Sequence, residues 1–493
     1  MLQILLAHAR FGWKARVMLV VACAWLLLGR GCLAQRMVFA HYMLTNQDYQ
    51  SNDDPTQEKK IEAYGREIQQ AQSMGIDGFA LNAGGWLKQT YYIEYAAQMF
   101  EAALRLHTGF KLMFSADMCC GNGADDVEDM MRRFAGNPRY ASVYFRFKGR
   151  AVLTTFAGDK LGQLVWRQIR VDLERGTNPS ASIEPEVLEP AAGHPSNAAL
   201  PIFLVPAFFW GGELPTREQI QQGFDDWNDL IDGSFYWGIA GVPGSKGNLD
   251  PTKVADDYAA ILHQGGKLFM APICFQFWGA NANRYYEYNG AEGMRAMWMD
   301  VFRVSHPEWV EIISWNDFIE GTYISPMDDP NKYAGANYLD ASGIPLNERN
   351  YFHSHSGAAE LLPFFIQWYK TGVEPKITRD AVYFFYRTQS VGTDAGRPSV
   401  AKKFGAVADR IYITANLTAP ADLQIRMGEH VQTLHLGAGS TDAQVSFVVG
   451  TRPEFALVRK RKTLATGVGT DWVESAPRYN NYYYSSGWLT SAD

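Results

Sequence analysis

Short continuous apolar runs recur along the first three quarters of the chain, separated by polar or amphipathic stretches. Such runs are typical of strands covered on both faces, because a half-exposed strand would alternate apolar and polar positions. The pattern predicts eight strands, at residues 37–43, 78–81, 111–115, 151–156, 202–205, 235–239, 267–273 and 309–315.

The stretches between these runs repeat apolar residues at helical spacing. The predicted helices cover residues 57–74, 125–134, 161–173, 218–230, 251–263, 290–304 and 354–369. Eight strand–helix units in series indicate an α/β fold, a (β/α)8 TIM barrel over residues 35–374. An open doubly wound sheet is the alternative, but it requires a glycine-rich turn after the first strand, and residues 41–44 (HYML) do not supply one.

The pattern of apolar and polar residues changes at about residue 377, where helical periodicity disappears. Short β-rich runs separated by Gly, Pro, Asp or Ser predict an all-β, sandwich-like accessory domain over residues 375–493. The runs lie at 381–386, 410–415, 423–427, 431–436, 443–449 and 455–458. The aromatic tail, with Tyr479 and residues 482–484, is expected to pack against the barrel, and residues 176–200 are expected to form a surface insertion.

The first 34 residues predict a secretory signal peptide. Three basic residues, Arg10, Lys14 and Arg16, precede an apolar run at 17–28, and the small residue Ala34 ends the segment. The run is shorter than the roughly 20 residues of a membrane span, although an uncleaved signal anchor is the alternative. We therefore expect a secreted protein, extracellular or in the cell wall, without a membrane segment after cleavage.

The net charge and the number of aromatic residues indicate which kinds of molecule the protein can bind. The chain has 45 basic and 52 acidic residues, and loss of the four basic residues in the first 34 changes the net charge from -7 to -11. Such a chain has no general attraction for nucleic acid or anionic lipid. Aromatic residues make up 14% of the chain, which suits an uncharged, hydroxylated ligand such as a sugar polymer, or else a large aromatic core.

Cysteine usage argues against a disulfide framework. Only Cys119, Cys120 and Cys274 remain after removal of the first 34 residues, so the fold must depend on its core. Cys119 and Cys120 are adjacent and are not expected to pair with each other; a bond from one of them to Cys274 stays open.

Reacting groups of a (β/α)8 barrel come from the carboxyl ends of the strands and from the loops that follow them. The polar and aromatic residues at these positions are therefore candidates for substrate binding: His41, Tyr42, Asn82, Trp86, Trp210, Trp237, Lys246, Gln276, Trp278, Trp315 and Asn316. Asp117 ends the third strand and is a further candidate acid, with capping of the helix near residue 125 as the alternative.

Two carboxylates, Asp317 and Glu320, follow the eighth strand and lie beside Trp315 and Phe318. A pair of carboxyl groups across a scissile bond is what glycoside hydrolysis requires. In an extended stretch their backbones would lie up to roughly 10 Å apart, which admits both the inverting and the retaining separation. The alternative is that Asp317 caps the following turn and Glu320 is a solvated loop acid.

Other site classes lack their motifs. The chain contains no His-Glu-x-x-His or Cys-x-x-Cys pattern for zinc and no Gly-x-Ser-x-Gly elbow for a serine nucleophile. Residues 241–247 are glycine-rich but lack the spacing of a phosphate-binding loop. We expect neither a metal nor an organic cofactor.

Five stretches, spread in order over about 290 residues, carry a family resemblance. They are MVFAHYM at 37–43, GIDGFALN at 75–82, FSADM at 114–118, WG at 237–238 with the loop to Lys246, and SWNDFIEGTY at 314–323. Together they resemble glycoside hydrolase family 71, the α-1,3-glucanases also called mutanases.

The resemblance implies a (β/α)8 catalytic domain followed by a β-sandwich, and hydrolysis of α-1,3-glucan with inversion. It also implies that Asp317 and Glu320 are the catalytic carboxylates and that Asp117 is a further acid in the cleft. We assign Asp317 as general base and Glu320 as general acid, while the reverse assignment stays open. The expected partner is α-1,3-glucan, and a monomer is expected.

Two other functions remain as alternatives. One is a barrel hydrolase that acts on a different α-linked polysaccharide, such as a mannan. The other is a non-catalytic wall protein that binds polysaccharide through a decayed barrel, although the presence of both Asp317 and Glu320 argues against it.

Overall fold

The computed structural model describes residues 36–45, 56–176, 198–212, 214–238, 242–243, 249–279, 284–326, 352–396, 402–404 and 407–491. Every helix and strand below belongs to one compact unit, Met37–Asp493. The predicted signal peptide and all but the ends of the predicted insertion at 176–200 lie outside the described residues.

The first part of this unit alternates strands and helices. Its strands are β1 Met37–Met43, β2 Gly78–Gly84, β3 Lys111–Asp117, β4 Arg146–Phe147, β5 Arg150–Phe156, β6 Ile202–Leu204, β7 Gly233–Phe235, β8 Val242–Pro243, β9 Leu249–Asp250, β10 Leu268–Ile273, β11 Phe277–Gly279, β12 Arg284–Tyr286 and β13 Trp309–Ile312. All eight predicted strands overlap observed ones, because their apolar runs are buried on both faces.

Eight strands run parallel in the order β6-β5-β3-β2-β1-β13-β10-β7, and β4 pairs antiparallel with β5. The sheet curls, so that its end strands approach each other. The backbone N–H of Asp232 donates to the carbonyl of Leu204 (2.8 Å), and that of Phe235 donates to Pro206 (2.9 Å). The Asp232 carboxylate also accepts from the Leu204 N–H (3.0 Å). Strand β7 begins two residues earlier than the predicted 235–239, because Gly233 and Ser234 already pair with Leu268 and Phe269 of β10.

The helices are α1 Gln57–Ser73, α2 Tyr91–Leu106, α3 Ala124–Met130, α4 Gln163–Arg175, α5 Arg217–Trp227, α6 Lys253–Gln264, α7 Glu292–Asp300 and α8 Ser356–Thr371. Seven of them were predicted. Two predictions run past the α-helical ends because α3 and α7 continue as π-helical turns, Met131–Ala135 and Val301–Ser305. A third, at 218–230, runs three residues past the end of α5. Helix α2 was not predicted. Its N-cap residue is Thr90, a residue type common at helix starts, although the Thr90 side chain makes no capping hydrogen bond.

The C-terminal part is all β. Its strands are β14 Ala381–Arg387, β15 Lys402–Phe404, β16 Arg410–Leu417, β17 Ala421–Met427, β18 His430–Leu436, β19 Gly439–Ser446, β20 Glu454–Arg459, β21 Lys462–Val468 and β22 Tyr484–Thr490. Two antiparallel sheets form, in the orders β19-β16-β14-β22 and β18-β17-β20-β21, while β15 pairs with β12. Strands β15, β21 and β22 were not predicted.

Strand β14 joins the two halves of the unit through its alternating side chains. Val382, Phe384 and Tyr386 enter the apolar core shared by the two C-terminal sheets. Tyr383 and Phe385 point the other way and join the large core around the parallel sheet. The described residues contain no helix that is both long and apolar enough to cross a membrane.

A third buried cluster lies where the end of the chain meets the loops after β10 and β13. This tail cluster consists of Trp278, Tyr285, Phe318, Tyr323, Phe352, Tyr479, Tyr482 and Tyr483. The Tyr483 hydroxyl donates to the Phe318 carbonyl, so the aromatic tail packs against the loop that carries Asp317 and Glu320.

Candidate active site

Polar side chains gather at one edge of the parallel sheet because neighbouring parallel strands end on the same side. Strands β1 and β2 pair Met43 with Asn82, and β2 and β3 pair Gly84 with Asp117. On the other side, β1 pairs Ala40 with Ile312 of β13. The ends of four adjacent strands therefore supply the predicted polar residues around His41.

Residues 314–322, which we call the carboxylate turn, follow β13. A non-proline cis peptide bond joins Ile313 to Ser314. The two ends of the turn are closed on each other, since the Ser314 N–H donates to the Thr322 carbonyl (3.1 Å) and their hydroxyls lie 2.8 Å apart. Asp317 and Glu320 are thus held in a closed turn, and the extended stretch considered for them does not form.

Asp317 organises this turn from within. Its N–H donates to Ser314 Oγ (2.7 Å), and its Oδ1 accepts from the Glu320 N–H (3.0 Å). The capping role considered for Asp317 is therefore present, and it gives the carboxylate a defined position. Asp317 is buried, whereas Glu320 is half-buried.

Three groups hold the carboxylate turn from outside. The Trp278 N–H donates to the Glu320 carbonyl (2.8 Å), and the Gln276 side chain donates to the Gly321 carbonyl (2.8 Å). Gly321 has a positive φ of 64°, and a Cβ there would lie 2.1 Å from the Tyr483 ring. Only glycine fits this position.

Opposing effects act on the pKa of the Asp317 carboxyl. Burial raises the pKa of its carboxyl, because a low-dielectric environment disfavours the charged form. The N–H groups of Glu320 and Ile319 and the charge of His41 act in the opposite direction and favour the carboxylate. The ionisation of Asp317 therefore depends on its neighbours.

His41 and Glu311 form a buried pair beside this carboxylate. His41 Nδ1 lies 2.7 Å from Glu311 Oε1, and both side chains are 0% exposed. The ring edge of His41 also meets Trp237, with centroids 4.6 Å apart. Glu311 was missed by the sequence analysis, although a single acid inside the apolar run 309–313 was a signal for it.

Asp117 and Asn82 form a second polar group at the strand ends. Asp117 Oδ1 accepts from the N–H groups of Cys119 (2.8 Å) and Cys120 (3.2 Å), and its Oδ2 lies 3.4 Å from Asn82 Nδ2. Asp117 therefore shapes the loop directly after β3, and its considered partner, the helix near residue 125, is not what it caps.

The five predicted tryptophans differ in their surroundings. Trp86 and Trp315 are fully buried, and their indole N–H groups donate to Asp129 (2.8 Å) and Glu67 (2.9 Å). Trp210 and Trp278 are also buried. Trp237 differs from them because it is half-buried. The ring of Trp237 meets those of His41, Phe156 and Phe235 edge-on, with centroids 4.6, 5.0 and 5.8 Å away.

The remaining predicted residues have backbone or core partners. Tyr42 packs between Tyr64 and Phe79. Asn316 accepts from the Met43 N–H (2.8 Å) and donates to the Met43 carbonyl (3.1 Å), which ties the carboxylate turn to β1. Lys246 lies outside the described residues.

The cysteines and the acidic groups bear on two other kinds of site, a disulfide bond and a metal centre. Cys119, Cys120 and Cys274 are all free, so the considered bond to Cys274 is not formed. Within the described part of the chain, no cluster of three or more His, Cys, Asp or Glu residues has the arrangement of a metal site.

Solved structures offer a distant comparison. The chain is similar to the GH99 endo-alpha-mannosidase from Bacteroides thetaiotaomicron, with 12% identity, a TM-score of 0.45, and coverage of 68% of this chain and 97% of that one.

Curated relatives match over nearly the whole chain. The chain is 26% identical to a glucan endo-1,3-alpha-glucosidase from Schizosaccharomyces pombe over 458 residues, which cover 92% of this chain and 94% of the relative. It is also 26% identical to a mutanase from Penicillium rubens over 467 residues, which cover 92% and 88%. An ascus wall endo-1,3-alpha-glucanase from Schizosaccharomyces pombe is 24% identical over 459 residues, which cover 89% and 93%.

The family comparison agrees with the motifs quoted above. The family model described as "Glycosyl hydrolase family 71" matches residues 34–492. These residues include β1, the carboxylate turn and the tail cluster. The resemblance inferred from the sequence is confirmed, and the chain belongs to glycosyl hydrolase family 71.

Proposed function

We propose that this chain hydrolyses the α-1,3-glucosidic bonds of α-1,3-glucan. The observation that carries the proposal is the carboxylate turn at the end of β13, which holds Asp317 and Glu320 in a chain that matches the family from residue 34 to 492. Three relatives of nearly full coverage are named as 1,3-alpha-glucan hydrolases or mutanases.

The reaction is a single displacement with inversion at the anomeric carbon. Glu320, half-buried on the turn, donates its proton to the glycosidic oxygen. Asp317 accepts a proton from the water that attacks the anomeric carbon. Backbone N–H groups directed at Asp317 support this assignment, because they favour its ionised form.

The curled sheet is a closed (β/α)8 barrel followed by a β-sandwich domain from about residue 375. The backbone hydrogen bonds from Asp232 to Leu204 and from Phe235 to Pro206 support closure between β6 and β7. The apolar core shared by the two C-terminal sheets supports the sandwich. Asp117 and Trp237 extend the binding cleft on either side of His41.

The protein is secreted to the cell wall or the medium and acts as a monomer. The apolar segment at 17–28 supports export, and an ascus wall glucanase among the relatives supports a wall location. A charge of -11 for residues 35–493 suits a neutral polysaccharide partner.

Removal of either carboxylate tests the reaction. Asp317→Asn and Glu320→Gln should each lower kcat on insoluble α-1,3-glucan by at least about 10²-fold, the usual contribution of a general acid or base. Glu429→Gln is the matched control, because this exposed carboxyl lies in the turn between β17 and β18. Full activity in either catalytic variant would contradict the assignment.

Product analysis tests substrate and stereochemistry. Early NMR spectra should show the β-anomer, as inversion of an α-linkage requires, and early α-anomer would contradict the single displacement. α-1,4-Glucan and α-mannan serve as comparison substrates. Faster release of sugar from either of them than from α-1,3-glucan would overturn the proposed substrate.

A further inference from the structure

Trp472 is an exposed tryptophan in the C-terminal part of the chain. It lies between β21 and β22 and is 57% exposed, whereas Trp86, Trp278 and Trp315 are buried almost completely. Leaving a large apolar ring in water gives up about 25 cal/mol for each Å² that burial would remove from solvent. The position of this ring at the surface therefore requires a physical explanation.

Hydrogen bonds fix the backbone on both sides of Trp472. The Tyr386 hydroxyl donates to the Asp471 carbonyl (2.7 Å) and lies 3.1 Å from the Asp471 N–H, which donates to it. On the other side, the Val473 N–H donates to the Thr451 carbonyl (2.8 Å), and the Val473 side chain enters the core of the C-terminal sheets. A ring on such a backbone is held in place before a ligand arrives, which lowers the entropy cost of binding.

Arg452 adds hydrogen-bond donors beside the ring. Its guanidinium carbon lies 5.9 Å from the centroid of the Trp472 ring, within the range of a cation–π contact. Arg452 is exposed, and so is Thr470. A guanidinium carries five N–H donors and no acceptor. These three residues, which we call the Trp472 surface, combine an apolar ring with polar groups.

The size of the Trp472 surface distinguishes between kinds of partner. An aromatic side chain buries about 150–250 Å². A ring that is 57% exposed therefore offers at most roughly 140 Å². A stable protein interface takes about 800 Å² from each partner. The exposed ring is much too small for a protein partner, whereas a single sugar ring is comparable in size to an indole.

A neutral sugar fits both chemical features of this surface. One face of a sugar ring carries mainly C–H bonds, which pack on an aromatic face, while the hydroxyls at its edge accept from N–H donors. The proposed substrate is an insoluble polymer of such rings. A second contact with the same polymer makes rebinding of the cleft an intramolecular event and raises the overall affinity.

A short series of contacts joins Trp472 to the carboxylate turn. His353 Nδ1 lies 3.3 Å from Asp471 Oδ2, and the His353 carbonyl accepts from the Tyr323 hydroxyl (2.6 Å). Tyr323 directly follows Thr322, the last residue of the turn. The ring therefore has a defined position relative to the turn, as two sites on one polymer require.

We propose that Trp472 and Arg452 form a second binding site for α-1,3-glucan, separate from the carboxylate turn. Trp472 stacks on a sugar ring, and Arg452 donates to its hydroxyls. The inference rests on the proposed function, because its ligand is the proposed substrate. The site holds the polymer and takes no part in bond cleavage, so it matters for insoluble glucan and not for short soluble oligosaccharides.

Depletion of the protein from solution by insoluble α-1,3-glucan tests the site. Every variant also carries Asp317→Asn, so that the polymer stays intact during the measurement. Trp472→Ala should raise the Kd of adsorption about threefold to tenfold, because the stacking contact is lost. Arg452→Ala should raise it by a smaller factor, and Trp472→Phe, which keeps an aromatic ring, should retain most of the affinity. An unchanged Kd in Trp472→Ala would overturn the site.

The matched control is Trp488→Ala, which removes another partly exposed indole, 37% exposed on β22. Its Kd should equal that of the parent protein. Equal losses in Trp472→Ala and Trp488→Ala would overturn the site, since any exposed indole would then contribute alike. Polystyrene beads serve as an apolar surface without hydroxyls, and an equal loss of adsorption to them would also overturn a sugar site.

Activity separates this site from the proposed function. With Asp317 intact, Trp472→Ala should keep kcat/KM on a short soluble α-1,3-linked oligosaccharide and lower the rate on dilute insoluble glucan. An equal loss on both substrates would contradict a separate site. An active Asp317→Asn enzyme would overturn the proposed function, whereas an inactive one combined with full adsorption of Trp472→Ala would overturn the second site alone.

Discussion

Carboxyl groups with opposite pKa shifts can be compared between the two halves of the molecule. In the parallel-sheet half, burial raises the pKa of Glu128 to about 7 despite Arg132 nearby, and burial together with Asp300 raises that of Asp256 to about 8. In the C-terminal sheets, Arg459 makes two hydrogen bonds to Asp380 (2.8 and 2.9 Å) and lowers its pKa.

The difference separates two uses of a carboxyl group. Acids with a raised pKa can exchange protons near neutral pH, and catalysis needs such groups. An acid held by arginine stays ionised and serves as a structural connection. Both kinds occur in the parallel-sheet half, where Arg133 also holds Asp129 (2.9 Å), whereas Asp380 represents the second kind in the C-terminal sheets. Each prediction below concerns one of the two halves.

The largest effect is expected in the apolar core of the C-terminal sheets. Phe455 is buried and stacks on Phe384 with centroids 4.1 Å apart. Phe455→Ala should lower the free energy of unfolding by about 3–5 kcal/mol, the usual cost of a large cavity. Denaturant titration measures the loss, and activity per folded molecule at 25 °C should be unchanged.

Val431→Ala is the control for this substitution, because Val431 is 49% exposed on strand β18 of the same sheet. Its effect should stay within about 0.5 kcal/mol. A folded Phe455→Ala enzyme with reduced kcat would contradict the division, since it would give the C-terminal core a part in the reaction.

A smaller effect should separate the tryptophan of the cleft from those of the core. Trp237→Ala should raise KM about threefold to tenfold, because a ring contact with a ligand contributes of order 0.5–1.5 kcal/mol. Trp86→Phe should instead lower Tm, since it leaves the buried Asp129 carboxylate without its indole donor. Initial rates at several substrate concentrations and thermal melts measure the two effects.

The contrast would be lost if the two substitutions behaved alike. An unchanged KM in Trp237→Ala would mean that the half-buried ring is a packing residue. A raised KM in a fully folded Trp86→Phe enzyme would mean that ligand contact extends into what the structure describes as core.

The last prediction concerns how stability changes with pH. The folded state keeps a proton on Asp256 up to about pH 8, whereas an unfolded chain releases it near pH 4. The folded state therefore binds more protons across this window, and stability falls as pH rises through it. Asp256→Asn should flatten the curve of Tm against pH and give a higher Tm than the unaltered protein at pH 8.

Asp226→Asn is the matched control, because Asp226 is an exposed carboxyl on helix α5. It should leave the slope of the curve unchanged. Asp380 has the opposite sign: its lowered pKa contributes stability that is lost only as the pH falls through the acid range. A curve for Asp256→Asn parallel to that of the unaltered protein would contradict the account of Asp256.

Much of the parallel sheet was predictable because its strands are short, apolar and buried on both sides. Strand β1 was predicted residue for residue from its run of mostly apolar residues. Strand β21 was not, because its KTLATGV sequence is mostly exposed or half-exposed and carries little apolar signal. Helix α2 was missed although Thr90, a residue type common at helix starts, occupies its N-cap.

The site was predictable in part for a related reason. Positions at strand ends follow from local sequence, and the prediction of Asp317 and Glu320 needed only that. The orientation of Trp86 or Trp315 does not follow, because it depends on partners far away in the chain, Glu67 being 248 residues from Trp315. The same holds for Glu311, because its partner His41 lies 270 residues away in the sequence and is brought beside it only when β1 pairs with β13.

Gln276 has a consequence for the order of events during synthesis. Its side chain donates to the Gly321 carbonyl and accepts from the Tyr484 N–H (2.9 Å), so one amide connects the carboxylate turn to the start of the last strand. A ribosome-bound chain that has exposed everything up to residue 480 still lacks this connection and the Tyr483 contact. During synthesis, the support of the carboxylate turn is therefore completed only after the start of β22 has left the ribosome.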